Sequence, residues 1–208
     1  MKLKDFLKSN AFKCILVLLV IALASGGLLS ILNDVLAVSP SEKQQRVISK
    51  YYFDPSVTAQ TVKLSEEERN NEFGTVETVY LLSDGNLIVN ASGLNGYKNE
   101  MVKAWVIINE SDGEFVGVRS VVVDASANAK QSLMGNLSDD FFKNYSAHDE
   151  DLIGGAYFSH LNGDGNIASL ATGATHTSEG MNNAVNCAVT FAKNFDFNSA
   201  TFEEEGNA

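Results

Sequence analysis

Cysteine and positive charge are both scarce in this chain. Only Cys14 and Cys187 occur in its 208 residues. One stands at the start of a long apolar run and the other near the C-terminus. A disulfide framework is therefore excluded, and stability must come from packing, with Cys187 reading as a small buried residue on a helix. Lysine and arginine number 15 against 26 aspartates and glutamates, a net charge of −11. The cations are unevenly placed. Lys2, Lys4, Lys8 and Lys13 face only Asp5 in the first 13 residues, a local charge of +3 that leaves −14 on the remainder. A body so acidic repels a phosphate backbone, so nucleic acid is excluded as a partner. No Gly-x-Ser-x-Gly turn is present, which removes a hydrolase built on that nucleophile elbow. His148-Asp149-Glu150-Asp151 holds metal-ligating residue types, but they adjoin in one polar stretch without a second cluster and read as a solvated loop. His160, near a strand end, reads as a surface or half-buried residue. Neither a metal site nor a catalytic residue is expected.

What is present begins with an apolar segment. From Cys14 to Leu32 no charge interrupts the chain, and about 20 such residues are what a helix needs to cross a bilayer. Lysines before it and an acidic body after it place the N-terminus in the cytoplasm and the main domain outside the cell membrane. Ala22-Leu23-Ala24 before Ser25-Gly26 resembles a signal-peptide cleavage site. Apolar residues continue past it through Leu28, Leu29, Ile31 and Leu32, which favours a retained, single-pass anchor. The expected organisation is a basic cytoplasmic N-terminus at 1–13, a transmembrane helix at 14–33, a helical and polar connector at 34–74, one globular domain at 75–196 and an acidic tail at 197–208.

Within the connector, Ser39-Pro40-Ser41-Glu42 carries a helix-start signature, with a hydroxyl at the cap, proline at the first helical position and glutamate at the third. A short helix to about Tyr52 follows. From Thr75 the pattern changes to period two. Val76–Leu82 and Asn86–Ala91 flank Ser83-Asp84-Gly85, and Met101–Asn109 and Phe115–Val123 flank Ser111-Asp112-Gly113. Asp-Gly between apolar runs is a hairpin signal. The same device is expected around Asp164-Gly165, between Ala156–Leu161 and Asn166–Leu170. In the second pair both faces are apolar, which predicts a central hairpin with something packed on each side. Ser138 caps a helical turn or two through Phe141, Phe142 and Tyr145. A final helix is predicted from Ser178 or Glu179 to Phe195, with Met181, Ala184, Val185, Ala188, Val189, Ala192 and Phe195 on one stripe. The tail holding Glu203-Glu204-Glu205 reads as solvated and frayed. These elements define an α+β fold: a twisted, largely antiparallel sheet with packed helices, preceded by one transmembrane helix.

The segment with chemical content is Ala171-Thr172-Gly173-Ala174-Thr175-His176-Thr177-Ser178, which opens into that last helix. Small residues let backbone approach a ligand, and free N–H groups at a helix N-terminus favour a phosphate. Hydroxyls of Thr172, Thr175, Thr177 and Ser178 add donors. Thr172-Gly173-Ala174-Thr175 resembles the Ser/Thr-Gly-Ala-Thr motif of the FMN-binding domain family, found in the RnfG and NqrC subunits of ion-translocating oxidoreductases. Gly96-Tyr97, the strand Val102–Asn109, the turn Asp112-Gly113 and Val116-Gly117-Val118 are similar to further segments of that family. The resemblance spans about Thr75 to Phe195.

The resemblance implies that the 75–196 unit is an FMN-binding domain. It implies that Thr175 is joined to the FMN phosphate through a phosphoester made by a separate flavin transferase, with Thr172, Gly173, Ala174, His176, Thr177 and Ser178 completing the cofactor-binding segment. A threonine hydroxyl without an activating base needs such an external enzyme. The implied role is electron transfer in a membrane redox chain, in an ion-translocating complex or in extracellular electron transfer, as a subunit of an oxidoreductase rather than a self-contained enzyme, with other redox carriers or membrane subunits as partners. Two departures stand out. Ser169 occupies the place of an aspartate that the family usually puts six residues before the modified threonine, where it serves recognition by the transferase. Asp124-Ala125-Ser126-Ala127-Asn128-Ala129-Lys130 replaces the family's Glu-Thr-Pro-Gly near the flavin ring. The first departure leaves open an alternative, a membrane-anchored binding or assembly module of the same fold that carries no flavin.

Overall fold

A computed structural model describes residues 10–36, 40–52, 54, 56–161, 163 and 165–203. Lys2, Lys4 and Lys8 of the basic N-terminus, the cap Ser39, Asp164 of the third turn and Glu204 and Glu205 of the tail lie outside the described residues. The chain divides into two units, residues 1–39 and residues 40–207.

The first unit is one helix, α1 (Asn10–Leu36), of 27 residues. At 1.5 Å per residue it is about 40 Å long, more than a hydrocarbon core requires. None of its 18-residue stretch Phe12–Leu29 is buried, so this helix is long and apolar enough to span a membrane.

The second unit begins with α2 (Pro40–Tyr51) and continues through β1 (Ala59–Thr61), α3 (Glu66–Arg69), β2 (Asn70–Asn71), β3 (Gly74–Leu82), β4 (Leu87–Gly93), β5 (Val102–Ser111) and β6 (Glu114–Val122). It closes with α4 (Asp139–Asn144), α5 (Asp149–Ile153), β7 (Tyr157–Ser159), β8 (Asn166–Ala168) and α6 (Thr175–Asn194). The main sheet runs β1-β3-β4-β5-β6, with β2 also on β3, and every pairing in it is antiparallel. Two of the three expected Asp-Gly hairpins form. Asp112 and Gly113 have φ of 55° and 81°, two left-handed residues in succession, as a tight hairpin turn demands.

The sheet is apolar on both faces because it is covered on both. On one face Val79, Leu87, Val89, Ala104, Val106 and Ile108 pack against Met181, Ala184, Val185, Ala188 and Val189 of α6. On the other, Tyr80, Leu82, Ile88 and Ile107 pack against Ile48, Tyr51 and Tyr52 at the end of α2 and Val57 just beyond it. The Tyr52 hydroxyl fastens this second layer: it donates to Asp84 and accepts from Asn86 Nδ2 at 2.8 Å and Arg119 Nη1 at 2.7 Å. Residues 40–71, read from sequence as a connector, therefore belong to the folded body, with β1 and β2 hydrogen-bonded to β3. The C-terminal segment is also tied down in part, since Phe202 bridges Val62 and Glu203 N–H donates to the Thr61 carbonyl at 3.0 Å.

Two expectations are corrected. β7 and β8 do not form a hairpin: they pair in parallel, Tyr157 with Asn166 and Ser159 with Ala168. β7 takes its other backbone partner from a side chain of α6, Asn186, rather than from a strand. His148–Asp151 is not an irregular loop but the start of α5, where His148 Nδ1 meets Asp151 at 2.9 Å and Asp149 accepts from Val118 N–H at 3.0 Å. Among the described residues no group of histidine, cysteine or acidic side chains is placed to hold a metal.

Cys187 lies fully buried on α6. Burial pushes its thiol up to about 12. A thiol held that high carries little thiolate at neutral pH, and the side chain is inaccessible, so native Cys187 should resist alkylation. Iodoacetamide labelling at pH 8, read by peptide mass, should modify Cys187 only after denaturant is added.

Candidate functional site

The helix that carries the motif starts earlier than its hydrophobic stripe indicates. α6 opens at Thr175, so this threonine is the first helical residue and not part of the preceding loop. The loop is a closed turn. Ala174 N–H donates to the Ala171 carbonyl at 3.0 Å, and Gly173 sits at the third turn position with φ +80°, the left-handed value that a type II turn requires there. Ser178 locks it from inside: its hydroxyl accepts from Ala171 N–H and donates to the Ala174 carbonyl, both at 3.0 Å.

The motif residues accordingly separate by exposure. Thr172, Gly173, Thr175 and His176 are exposed, whereas Ala174, Thr177 and Ser178 are buried. Thr177 Oγ1 reaches the Gln131 carbonyl oxygen at 3.4 Å, so the hydroxyls of Thr177 and Ser178 serve the fold and only those of Thr172 and Thr175 face solvent. Ala174 stands at the N-cap without a side chain able to cap. The N–H groups of Thr175, His176 and Thr177 have no partner among the described residues, the first intrahelical donor being Ser178 N–H to the Ala174 carbonyl at 2.8 Å. Unpartnered N–H groups and the positive end of a 20-residue helix thus begin at Thr175, an arrangement suited to a phosphate oxygen. His176 and His160 both approach Glu179, each Nδ1 at 3.9 Å from Oε2. No side chain contacts the Thr175 hydroxyl as a base among the described residues.

Polar residues that a reading of the helix stripe passes over hold this loop in place. Asn182 and Asn186 lie one turn apart on α6, 1% and 2% exposed. Asn182 accepts from the Tyr145 hydroxyl at 2.7 Å and donates to the Ser169 carbonyl at 2.8 Å. Asn186 accepts from Phe158 N–H at 2.9 Å and donates to its carbonyl at 2.8 Å, taking the place of a neighbouring strand for β7. Burial holds the Tyr145 phenol protonated far above its ordinary range. Ser169 is itself buried, its hydroxyl without a hydrogen bond among the described residues. A chemical-denaturation series should show Asn182→Ala losing about 2–4 kcal/mol, because two buried groups lose their partner at once.

Gln131 joins the other side of the site to the sheet. Its side-chain oxygen accepts from Tyr97 N–H at 3.0 Å as well as from Thr177. The nearby Asn136 amide is the closest neighbour of Gly173, 3.8 Å from where a Cβ would stand. The segment Asp124–Lys130 is pinned elsewhere. Asn128 bonds both Lys103 N–H and its carbonyl at 2.8 Å, and Asp124 pairs with Lys50 at 2.9 Å on the α2 side of the sheet.

No protein-family model matches this chain, and no curated protein matches it significantly.

Proposed function

We propose that this protein is a membrane-anchored flavoprotein domain that carries FMN as a phosphoester on Thr175 and passes electrons along a redox chain. The observation that carries the reading is Thr175 itself: an exposed hydroxyl at the first position of a long helix whose leading N–H groups are uncapped. An esterified phosphate there would receive the helix N-terminal donors, and Gly173 and Ala174 leave room for it to approach the backbone. FMN, once attached, supplies the one- and two-electron chemistry. The chain contributes position: the Ser178-locked turn fixes the attachment point, and Asn182 and Asn186 fix the turn to the core.

Among the described residues no base contacts the Thr175 hydroxyl, so in this reading a flavin transferase acts on the exposed segment. The anchor would keep the domain at the outer membrane surface, where a covalent cofactor cannot diffuse away. Electrons would arrive from a membrane or soluble donor and leave to another carrier or membrane subunit. Intact mass and in-gel flavin fluorescence of the full chain, coexpressed with a flavin transferase, test this. One FMN added supports the reading, and no adduct with transferases active on a control substrate overturns it.

One observation favours a second reading. Ser169 is buried, with its backbone carbonyl held by Asn182, so the position the family gives to its recognition aspartate offers nothing to an approaching enzyme. In that reading the same fold serves unmodified, as an anchored binding or assembly element.

A further inference from the structure

We propose that the α2-covered face of the sheet carries a second binding site, for a small planar aromatic compound bearing a negative charge. α2 has only 12 residues, and it shields the Leu82, Ile88 and Ile107 region while leaving the neighbouring part of the same face open. There a cavity of about 400 Å³ opens, with Trp105, Tyr51, Asn90, Arg46, Lys50 and Lys103 in its wall together with Asp124. Cavities that hold small molecules begin at about 300 Å³.

Two features give the ligand its chemistry. The first is a rigid aromatic wall. Trp105 is half-buried and stacks on Tyr51 at 5.0 Å and 24° and on Tyr80 at 6.3 Å and 10°, so the indole is held by its neighbours and does not collapse into the opening. The second is the sign of the charge. Three cations against one carboxylate line this cavity in a chain whose net charge is −11. Lys50 is paired with Asp124 at 2.9 Å and Lys103 with Glu77 at 3.4 Å. Arg46 has no ion pair among the described residues, so its guanidinium is free to grip a carboxylate, sulfonate or phosphate with two parallel hydrogen bonds. Asn90, the sheet neighbour of Trp105, adds an amide for a ring substituent.

Trp105 is the one tryptophan of the chain, so its fluorescence reports this site alone. The test uses the full chain carrying Thr175→Ala, in neutral detergent, so that no covalent flavin can form and the outcome is independent of the flavoprotein reading. Anthraquinone-2-sulfonate is the probe. Saturable quenching is expected, weakened at least tenfold in Arg46→Gln, with an unchanged unfolding midpoint because Arg46 is exposed. Lys103→Gln should weaken it in the same direction, and hexanesulfonate, an anion without a ring, should not displace the probe. Quenching that rises linearly without saturation, or equal affinity in Arg46→Gln, overturns the proposal. So does complete displacement by an equimolar acidic phospholipid, which would make the cavity a lipid-headgroup site.

Discussion

Thr175→Ala should carry no flavin when coexpressed with a transferase that fully modifies the wild-type chain, while Thr175→Ser should still be modified. The argument is one of exposure. Of the four hydroxyls near the start of α6, Thr177 and Ser178 are 1% and 0% exposed and cannot meet an enzyme. Thr172 is exposed, but it lies in the turn, ahead of the helix, whereas the helix-terminal N–H groups begin at Thr175. A phosphate on Thr172 would stand ahead of those helix-terminal donors. Because the Thr175 hydroxyl makes no hydrogen bond among the described residues, removing it should change stability by less than about 0.5 kcal/mol. Loss of the adduct would then report chemistry and not unfolding. Intact mass followed by peptide mapping decides the matter, and an adduct persisting on the alanine variant would move the attachment point.

Gly93→Ala should destroy the fold. An added Cβ at Gly93 would stand 2.1 Å from Ala184 N, 2.2 Å from the Gly180 carbonyl oxygen and 2.7 Å from the Asn183 carbonyl carbon, all of them backbone of α6. A flexible side chain could swing away; a helix backbone cannot. The other half of the contact is equally close, since a Cβ on Gly180 would meet Val102 Cγ2 at 2.4 Å and Gly96 Cα at 2.8 Å. Helix and sheet therefore touch backbone to backbone, and one methyl group must lift α6 away from β4. Overpacking a core usually costs about 1–3 kcal/mol, and a clash with three backbone atoms should exceed that range. Thermal melts should show Gly93→Ala unfolded or molten near room temperature. Gly135→Ala, with nothing within 4 Å of the new methyl, should melt like the wild type.

Much of the fold was legible because its signals are local. Asp84-Gly85 and Asp112-Gly113 announce their turns from the residues alone, and the stripe from Met181 to Ala192 announces the buried face of α6. The alternation from Val102 to Ile108, apolar on both sides, required cover on both faces, but nothing in it said that residues 40–57 would supply the second layer. That depends on Ile48, Tyr51 and Tyr52 meeting strands more than 25 residues away in the chain. The start of α6 was displaced for a related reason. Thr175, His176 and Thr177 lack the apolar spacing of the stripe, and Ala174 is no capping residue, so the boundary is set by the Ser178 hydroxyl reaching back to Ala171 and Ala174. β7 and β8 were misread because an Asp-Gly turn signal is blind to partners from elsewhere. Asn186 completes β7 from a helix, and polar residues at helical spacing ordinarily signify solvent.

The placement of α2 sets the smallest piece of this protein that could be produced and studied without its long apolar helix. A version beginning near residue 75 would look complete by its hairpins and its Thr172–Thr175 motif, yet it would present Leu82, Ile88, Ile107 and the Trp105 ring to water on one broad flank of the sheet. Such a fragment should precipitate or pair with itself. A version beginning at Pro40 keeps the Leu82, Ile88 and Ile107 flank covered, so the protease-cleavable junction for a shortened form belongs between Leu36 and Pro40, directly after the apolar helix α1.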